Sequence, residues 1–146
     1  MCDASRDVSR RPREQTEPVM PRVNSLRCVI VDDNPHFIES AVNLLESDGI
    51  TVVGSATSSA EALQLLDELC PDVALVDVDL GTESGFELAE QIHRRDASGA
   101  RQPPIILISA HSEQDFADIV AASPALGFIP KVSLSARLIR EMLSQA

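Results

Sequence analysis

The stretch Cys28-Val29-Ile30-Val31-Asp32-Asp33-Asn34-Pro35 decides how this chain is read. Four apolar residues run without alternation into two adjacent carboxylates. Asn34-Pro35 then supplies a helix N-cap with proline at the first helical position. An unbroken apolar run of strand length belongs to a strand buried on both faces, as in a parallel sheet. The helix that follows carries Phe37, Ala41, Leu44 and Leu45 at helical spacing, up to Gly49.

The same unit recurs down the chain. Residues 50–56 are β-branched and strand-like, and Ser58 or Ser59 can cap a helix bearing Ala62, Leu65, Leu66 and Leu69 before Pro71 stops it. Residues 73–76 form a third apolar run that ends at Asp77. After the Gly81–Gly85 loop, Phe86, Ala89 and Ile92 mark a third helix. Pro103-Pro104 precedes a fourth run that ends at Ser109, and residues 113–122 read as a fourth helix. Residues 127–130 are the fifth strand, ending at Lys131, and Ser133 or Ser135 caps a last helix with Leu138, Ile139 and Met142. Five βα units predict an α/β fold: a five-stranded parallel sheet with five helices, doubly wound because parallel crossovers are right-handed. Ligands of such sheets bind beyond the carboxyl ends of the strands. Asp32, Asp33, Asp77, Ser109 and Lys131 all fall there, and Lys131 is the only lysine against eleven arginines.

Composition narrows the function. The 146 residues carry a net charge of −11, which disfavours direct binding of nucleic acid or an anionic membrane. Residues 1–25 hold five arginines and four acids, a net +1, so residues 26–146 carry −12. That first stretch has prolines, many charges and no apolar periodicity, so it is expected to be a disordered tail, with the folded domain over residues 26–146. No signal segment or run of about 20 apolar residues is visible, and the expected compartment is the cytoplasm. Cys2, Cys28 and Cys70 are odd in number and lack CxxC or histidine spacing, which argues against a disulfide framework or zinc site. Cys28 and Cys70 read as small core residues.

Three carboxylates at one sheet edge set a chemical requirement. Two unit charges about 4 Å apart interact by about 4 kcal/mol at an effective dielectric of 20, so the acids repel unless a cation sits among them. Oxygen ligands in an incomplete protein cage suit Mg²⁺, which shares its coordination with water and phosphate oxygens. An aspartate with a free oxygen can attack phosphorus, a lysine can pair with the transferred group, and a hydroxyl can donate to it.

Over residues 27–146 these features resemble the receiver domain of two-component response regulators. The resemblance rests on Asp32-Asp33, on Asp77 with Gly85 eight residues later, on Ser109-Ala110, and on Phe128 three residues before Lys131. It implies a flavodoxin-like strand order of 2-1-3-4-5. It implies Asp77 as phosphoacceptor, Asp33 and Asp77 as direct Mg²⁺ ligands, Asp32 acting mainly through water, and the Asp79 backbone carbonyl completing the protein's share. Ser109 and Lys131 would bind the phosphoryl group, Ser109 and Phe128 would switch, and Asp79 and His111 would tune dephosphorylation. The chain departs from the family's common pattern in having Val132 rather than proline after the lysine, Gly81 where a proline is frequent, and Phe128 in place of tyrosine.

The resemblance implies a signalling domain rather than an ordinary enzyme. It would take a phosphoryl group from a sensor histidine kinase or phosphotransfer protein and change its affinity for a downstream protein. A stand-alone regulator is the primary expectation, because no output module follows residue 146; the sequence leaves phosphorylation-dependent homodimerisation open. One alternative is the receiver fragment of a longer DNA-binding regulator. Another is a haloacid-dehalogenase-like phosphatase using Asp77 and Asp79, although such a motif normally sits on the first strand.

Overall fold

The computed structural model describes residues 26–99, 101–111 and 117–145. The tail expected over residues 1–25 lies outside the described residues, as do residues 112–116, where the fourth helix was expected to begin.

The five apolar runs become five strands: β1 (Leu26–Val31), β2 (Ile50–Ala56), β3 (Val73–Asp77), β4 (Ile105–Ser109) and β5 (Gly127–Pro130). They pair in parallel in the order β2-β1-β3-β4-β5. The expected order 2-1-3-4-5 is therefore observed. The central strands β3 and β4 are buried at every position, which is why they show no alternation in the sequence.

Five helices alternate with the strands: α1 (Pro35–Ser47), α2 (Ser59–Leu69), α3 (Gly85–Ala97), α4 (Ala117–Ala122) and α5 (Ala136–Ser144). Their starts are chemically marked. Asn34 Oδ1 accepts the N–H groups of His36 and Phe37, Ser58 caps α2, Ser84 caps α3 and Ser135 caps α5. Of the two serines considered before the last helix, Ser133 instead lies in a short 3₁₀ turn over Lys131–Ser133.

The helices cover the sheet in two layers. Ala41 and Leu45 of α1 join Ala136 and Ile139 of α5 on one face, around Ile30, Leu75, Ile106 and Ile129. On the other face, Ala62 and Leu66 of α2 and Leu88, Ala89 and Ile92 of α3 pack against Val29, Val76 and Leu107. Leu44, read as part of the apolar face of α1, is exposed because it points away from the sheet. Cys28 is a buried core residue as expected, and burial pushes its thiol pKa up to about 12. Cys70 is not. It is half-buried and ends α2 in the left-handed region, which corrects the expectation of a core position. Among the described residues no helix is long and apolar enough to cross a membrane.

A small antiparallel ribbon that the sequence did not announce, Asp79–Leu80 with Glu83–Ser84, forms the link from β3 to α3. It ends at Gly85, whose N–H donates to the Val78 carbonyl at 2.9 Å. A Cβ at position 85 would lie 2.0 Å from the Asp77 carbonyl oxygen, so only glycine lets α3 start against the end of β3.

Two outcomes follow from this packing. Gly85→Ala is expected to lose about 3 kcal/mol in urea unfolding; a loss below about 0.5 kcal/mol would mean that the contact relaxes freely. Native Cys28 should resist iodoacetamide at about pH 8 and react once unfolded, because only the thiolate is nucleophilic. Peptide mapping of the labelled protein checks this.

Candidate functional site

The carboxyl ends of β1, β3, β4 and β5 deliver the chemistry. β1 runs out at Val31 into Asp32 and Asp33, β3 ends on Asp77, β4 on Ser109, and β5 hands over at Pro130 to Lys131. Parallel pairing puts these ends on one edge: Asp77 stands opposite Ile108, and Ser109 opposite Pro130.

Asp32, Asp33 and Asp77 each offer a carboxylate oxygen, and these atoms lie within 4.8 Å of one another. Asp32 is fully buried and Asp77 is 5% exposed, whereas Asp33 faces solvent. Lys131 reaches in from the far side of the sheet edge. Its Nζ lies 2.7 Å from Asp32 Oδ2 and donates to Asp77 Oδ2 at 3.0 Å.

The two contacts differ in kind. The Asp77 contact is an aligned hydrogen bond. Asp32 Oδ2 touches the ammonium but has no aligned hydrogen-bond donor, although it is sealed from water. Its other oxygen accepts the Asn34 N–H at 2.8 Å, which ties the acid to the α1 cap. Asp32 Oδ2 is thus satisfied by the ammonium's charge rather than by an aligned donor.

Burial raises the Asp77 pKa, against the lowering effect of its hydrogen bonds from the Asp79 N–H (3.1 Å to Oδ1) and from Lys131; the neighbouring Asp32 charge adds to the rise. For Lys131 burial works against the charged form, but the contacts with Asp32 and Asp77 outweigh it and raise the pKa. Lys131 therefore stays an ammonium.

The remaining residues stand around this centre. Ser109 is buried, and its Oγ accepts the His111 N–H at 3.0 Å, which orients the hydroxyl and leaves its proton to donate. Asp79 is exposed, and its Oδ1 accepts the Gly81 N–H at 3.1 Å, so the carboxylate closes the turn. Gly81 has φ +79°, and a Cβ there would meet Asp33 Oδ2 at 3.2 Å. A proline, fixed near −65°, could not take that backbone, so this loop differs from the proline-bearing version. The His111 side chain is exposed. Phe128 is buried one strand-turn below the site, in the layer that also contains Val120 of α4.

The structure thus brings Asp32, Asp33, Asp77 and Lys131 into one cluster, with Ser109 at the end of the neighbouring strand. Asp79 and His111 meet the site through their backbone N–H groups. Sequence reading missed Phe37, whose ring centroid lies 4.3 Å from Lys131 Nζ. Its helical spacing with Ala41 signalled only an apolar face.

Comparison with known proteins gives a consistent result. A family model described as the response regulator receiver domain matches residues 28–143. The DNA-binding transcriptional activator EvgA of Escherichia coli K12 is 30% identical over 106 residues, covering 73% of this chain and 50% of EvgA. The probable transcriptional regulatory protein NarL of Mycobacterium tuberculosis is 32% identical over 127 residues, covering 86% of this chain and 57% of NarL. This chain spans about half the length of these curated relatives. Among solved structures, the signal receiver domain of M. tuberculosis NarL superposes with a TM-score of 0.69 at 31% identity, over 84% of this chain and 96% of that one. A LuxR-family two-component response regulator from Aurantimonas sp. SI85-9A1 gives a TM-score of 0.70 at 28% identity, over 83% and 84%.

The acidic cluster makes a prediction about protons and cations. A protonated Asp77 ligates poorly, and the upward shift of its pKa by burial moves that competition toward higher pH. Mg²⁺ affinity measured by calorimetry is expected to fall steadily as the pH is lowered from neutral toward the carboxylate range; an affinity that holds constant or rises would contradict it.

Proposed function

Because this chain belongs to the response regulator receiver domain family, we propose that it accepts a phosphoryl group on Asp77 from the phosphohistidine of a sensor histidine kinase or phosphotransfer protein. The observation that carries this reading is the ammonium of Lys131 held between Asp32 Oδ2 and Asp77 Oδ2 at 2.7 and 3.0 Å. A cation poised on an acceptor carboxylate is already where an incoming phosphoryl group needs one.

The acid trio fits a divalent cation. Asp33 and Asp77 would hold Mg²⁺ directly, Asp32 mainly through water, and the Asp79 carbonyl would complete the protein's share. When bound, Mg²⁺ supplies positive charge to the oxygens of the transferred group.

The chain's own residues do the rest. An Asp77 oxygen forms the new O–P bond as the P–N bond of the donor imidazole breaks, and the bond's electrons leave with the imidazole nitrogen. Lys131 pairs with the phosphoryl oxygens as a point charge, and the Ser109 hydroxyl donates to another of them. Drawing Ser109 toward the group, with Lys131 passing from the Asp77 carboxylate to the phosphoryl oxygens, shifts the loops after β4 and β5 and repacks Phe128, which changes the outer face of α4, β5 and α5. Phe128 has no hydroxyl, so its switching works through packing. The exposed Asp79 carboxylate and His111 imidazole tune how fast water removes the group.

The output is a change in contact with another protein, in the cytoplasm where the kinase presents its phosphohistidine. The domain is a signalling element that assists its own phosphorylation and dephosphorylation. A second reading is favoured by the relatives themselves: EvgA and NarL are named as transcriptional regulators and are about twice the length of this chain. On that reading this is the receiver part of a DNA-binding regulator, and the nucleic-acid surface belongs to another part of that protein. The phosphatase alternative yields to the family match and to the position of Asp77 on the third strand.

Incubation with acetyl phosphate and Mg²⁺ should add one phosphoryl group, read by intact mass. Asp77→Asn or chelation should abolish the gain. Equal labelling of wild type and Asp77→Asn would remove Asp77 from its role.

A further inference from the structure

Lys131 starts its journey from an unpromising place. Its backbone opens the 3₁₀ turn beyond β5, and the next residue, Val132, is 94% exposed. A long flexible side chain at such a rim would ordinarily extend into water. Instead it points inward and is only 14% exposed.

Two carboxylates account for part of this. Phe37 adds a third contact: the ammonium lies over its ring, 4.3 Å from the centroid, within the distance at which a ring face attracts a cation. A benzene ring holds an ammonium less strongly than a carboxylate does, but it favours the charged form being there.

The position of the ring is itself set by the site. Asp32 Oδ1 accepts the Asn34 N–H at 2.8 Å, Asn34 Oδ1 accepts the Phe37 N–H at 3.3 Å, and the Phe37 ring faces Lys131. Lys131 returns to Asp32 Oδ2 at 2.7 Å. The contacts close a loop from Asp32 through the first turn of α1 to the lysine and back. Phe37 is partly buried and packs against the layer containing Ile30, Ile129 and Leu134.

We propose that Phe37 is a positioning residue for phosphoryl transfer: its ring holds the Lys131 ammonium against the Asp77 carboxylate. The proposal rests on the reading of Asp77 as phosphoacceptor. It assigns to Phe37 a role beyond the packing that its spacing with Ala41 would suggest.

Because Lys131 is the only lysine, labelling with ¹³C,¹⁵N-lysine gives one side-chain signal, and the experiment reads it directly. In wild type the Cε protons should be shifted upfield by the ring. Phe37→Leu keeps apolar bulk but removes the π face; it should lose that shift and slow acetyl-phosphate labelling roughly fivefold. Phe37→Tyr should restore both. Should the leucine variant unfold, Phe37→Met serves in its place. An unchanged lysine shift or an unchanged rate in the leucine variant, or no recovery with tyrosine, overturns the proposal. Asp77→Asn is run alongside. If it labels like wild type, the phosphoacceptor reading has failed; if it stays silent while Phe37→Leu keeps the wild-type rate, only the role of Phe37 has failed.

Discussion

One ammonium stands between two buried carboxylates, with a third acid beside them. Asp32, Asp33 and Asp77 bring three negative charges into a space where their oxygens lie within 4.8 Å of each other, and Lys131 returns one positive charge. Like charges at about 4 Å repel by about 4 kcal/mol at an effective dielectric of 20. The cluster is therefore short of positive charge, three carboxylates against one ammonium. A divalent cation relieves it. On the proposed function, a phosphoryl group arriving on Asp77 would bring new negative oxygens to the same place, so the lysine that offsets charge in the resting site is also what the product would need.

The rest of the fold keeps that cluster from relaxing. β1 and β3 are adjacent, so their acids cannot separate without breaking the sheet. Gly85 seats α3 directly against the end of β3, and the intervening ribbon is pinned twice. Asp79 closes the turn at Gly81, and Glu83 Oε1 accepts the Ser59 N–H at 2.7 Å at the start of α2. On the opposite face Arg140 donates to the Asp48 carbonyl at 2.9 Å, tying α5 to the end of α1. The backbone around the acids is held from both layers. The proposed switch therefore acts through the side chains of Ser109, Phe128 and Lys131 rather than through the sheet.

Much of this was legible in the residues. Unbroken apolar runs such as 73–76 could only be strands buried on both faces, and Asn34-Pro35 and Ser58 announced their helices by local hydrogen bonding. The site followed because polar residues at the ends of parallel strands must share an edge. Features that depend on distant contacts were not legible. The ribbon at Asp79–Leu80 and Glu83–Ser84 is two residues per strand, too short to carry a period. Cys70 looked apolar in its local setting but ends α2 in the left-handed region at the domain's margin. Phe37 shared the helical spacing of Ala41 and Leu45, and nothing in that spacing says that its ring would face a lysine from the other end of the chain.

The structural likeness to receiver domains concerns the whole sheet, whereas the functional account concerns the few oxygens at its edge and the charge they lack. The measurement that addresses it most directly is a crystal structure of the protein grown with Mg²⁺ and beryllofluoride, a mimic of the phosphoryl group. The account predicts the ion on the Asp33 and Asp77 carboxylates, the mimic on Asp77, and the Lys131 ammonium and Ser109 hydroxyl on its fluorines. A cluster with neither ion nor mimic at saturating concentrations, or a mimic attached to any other side chain, would contradict it.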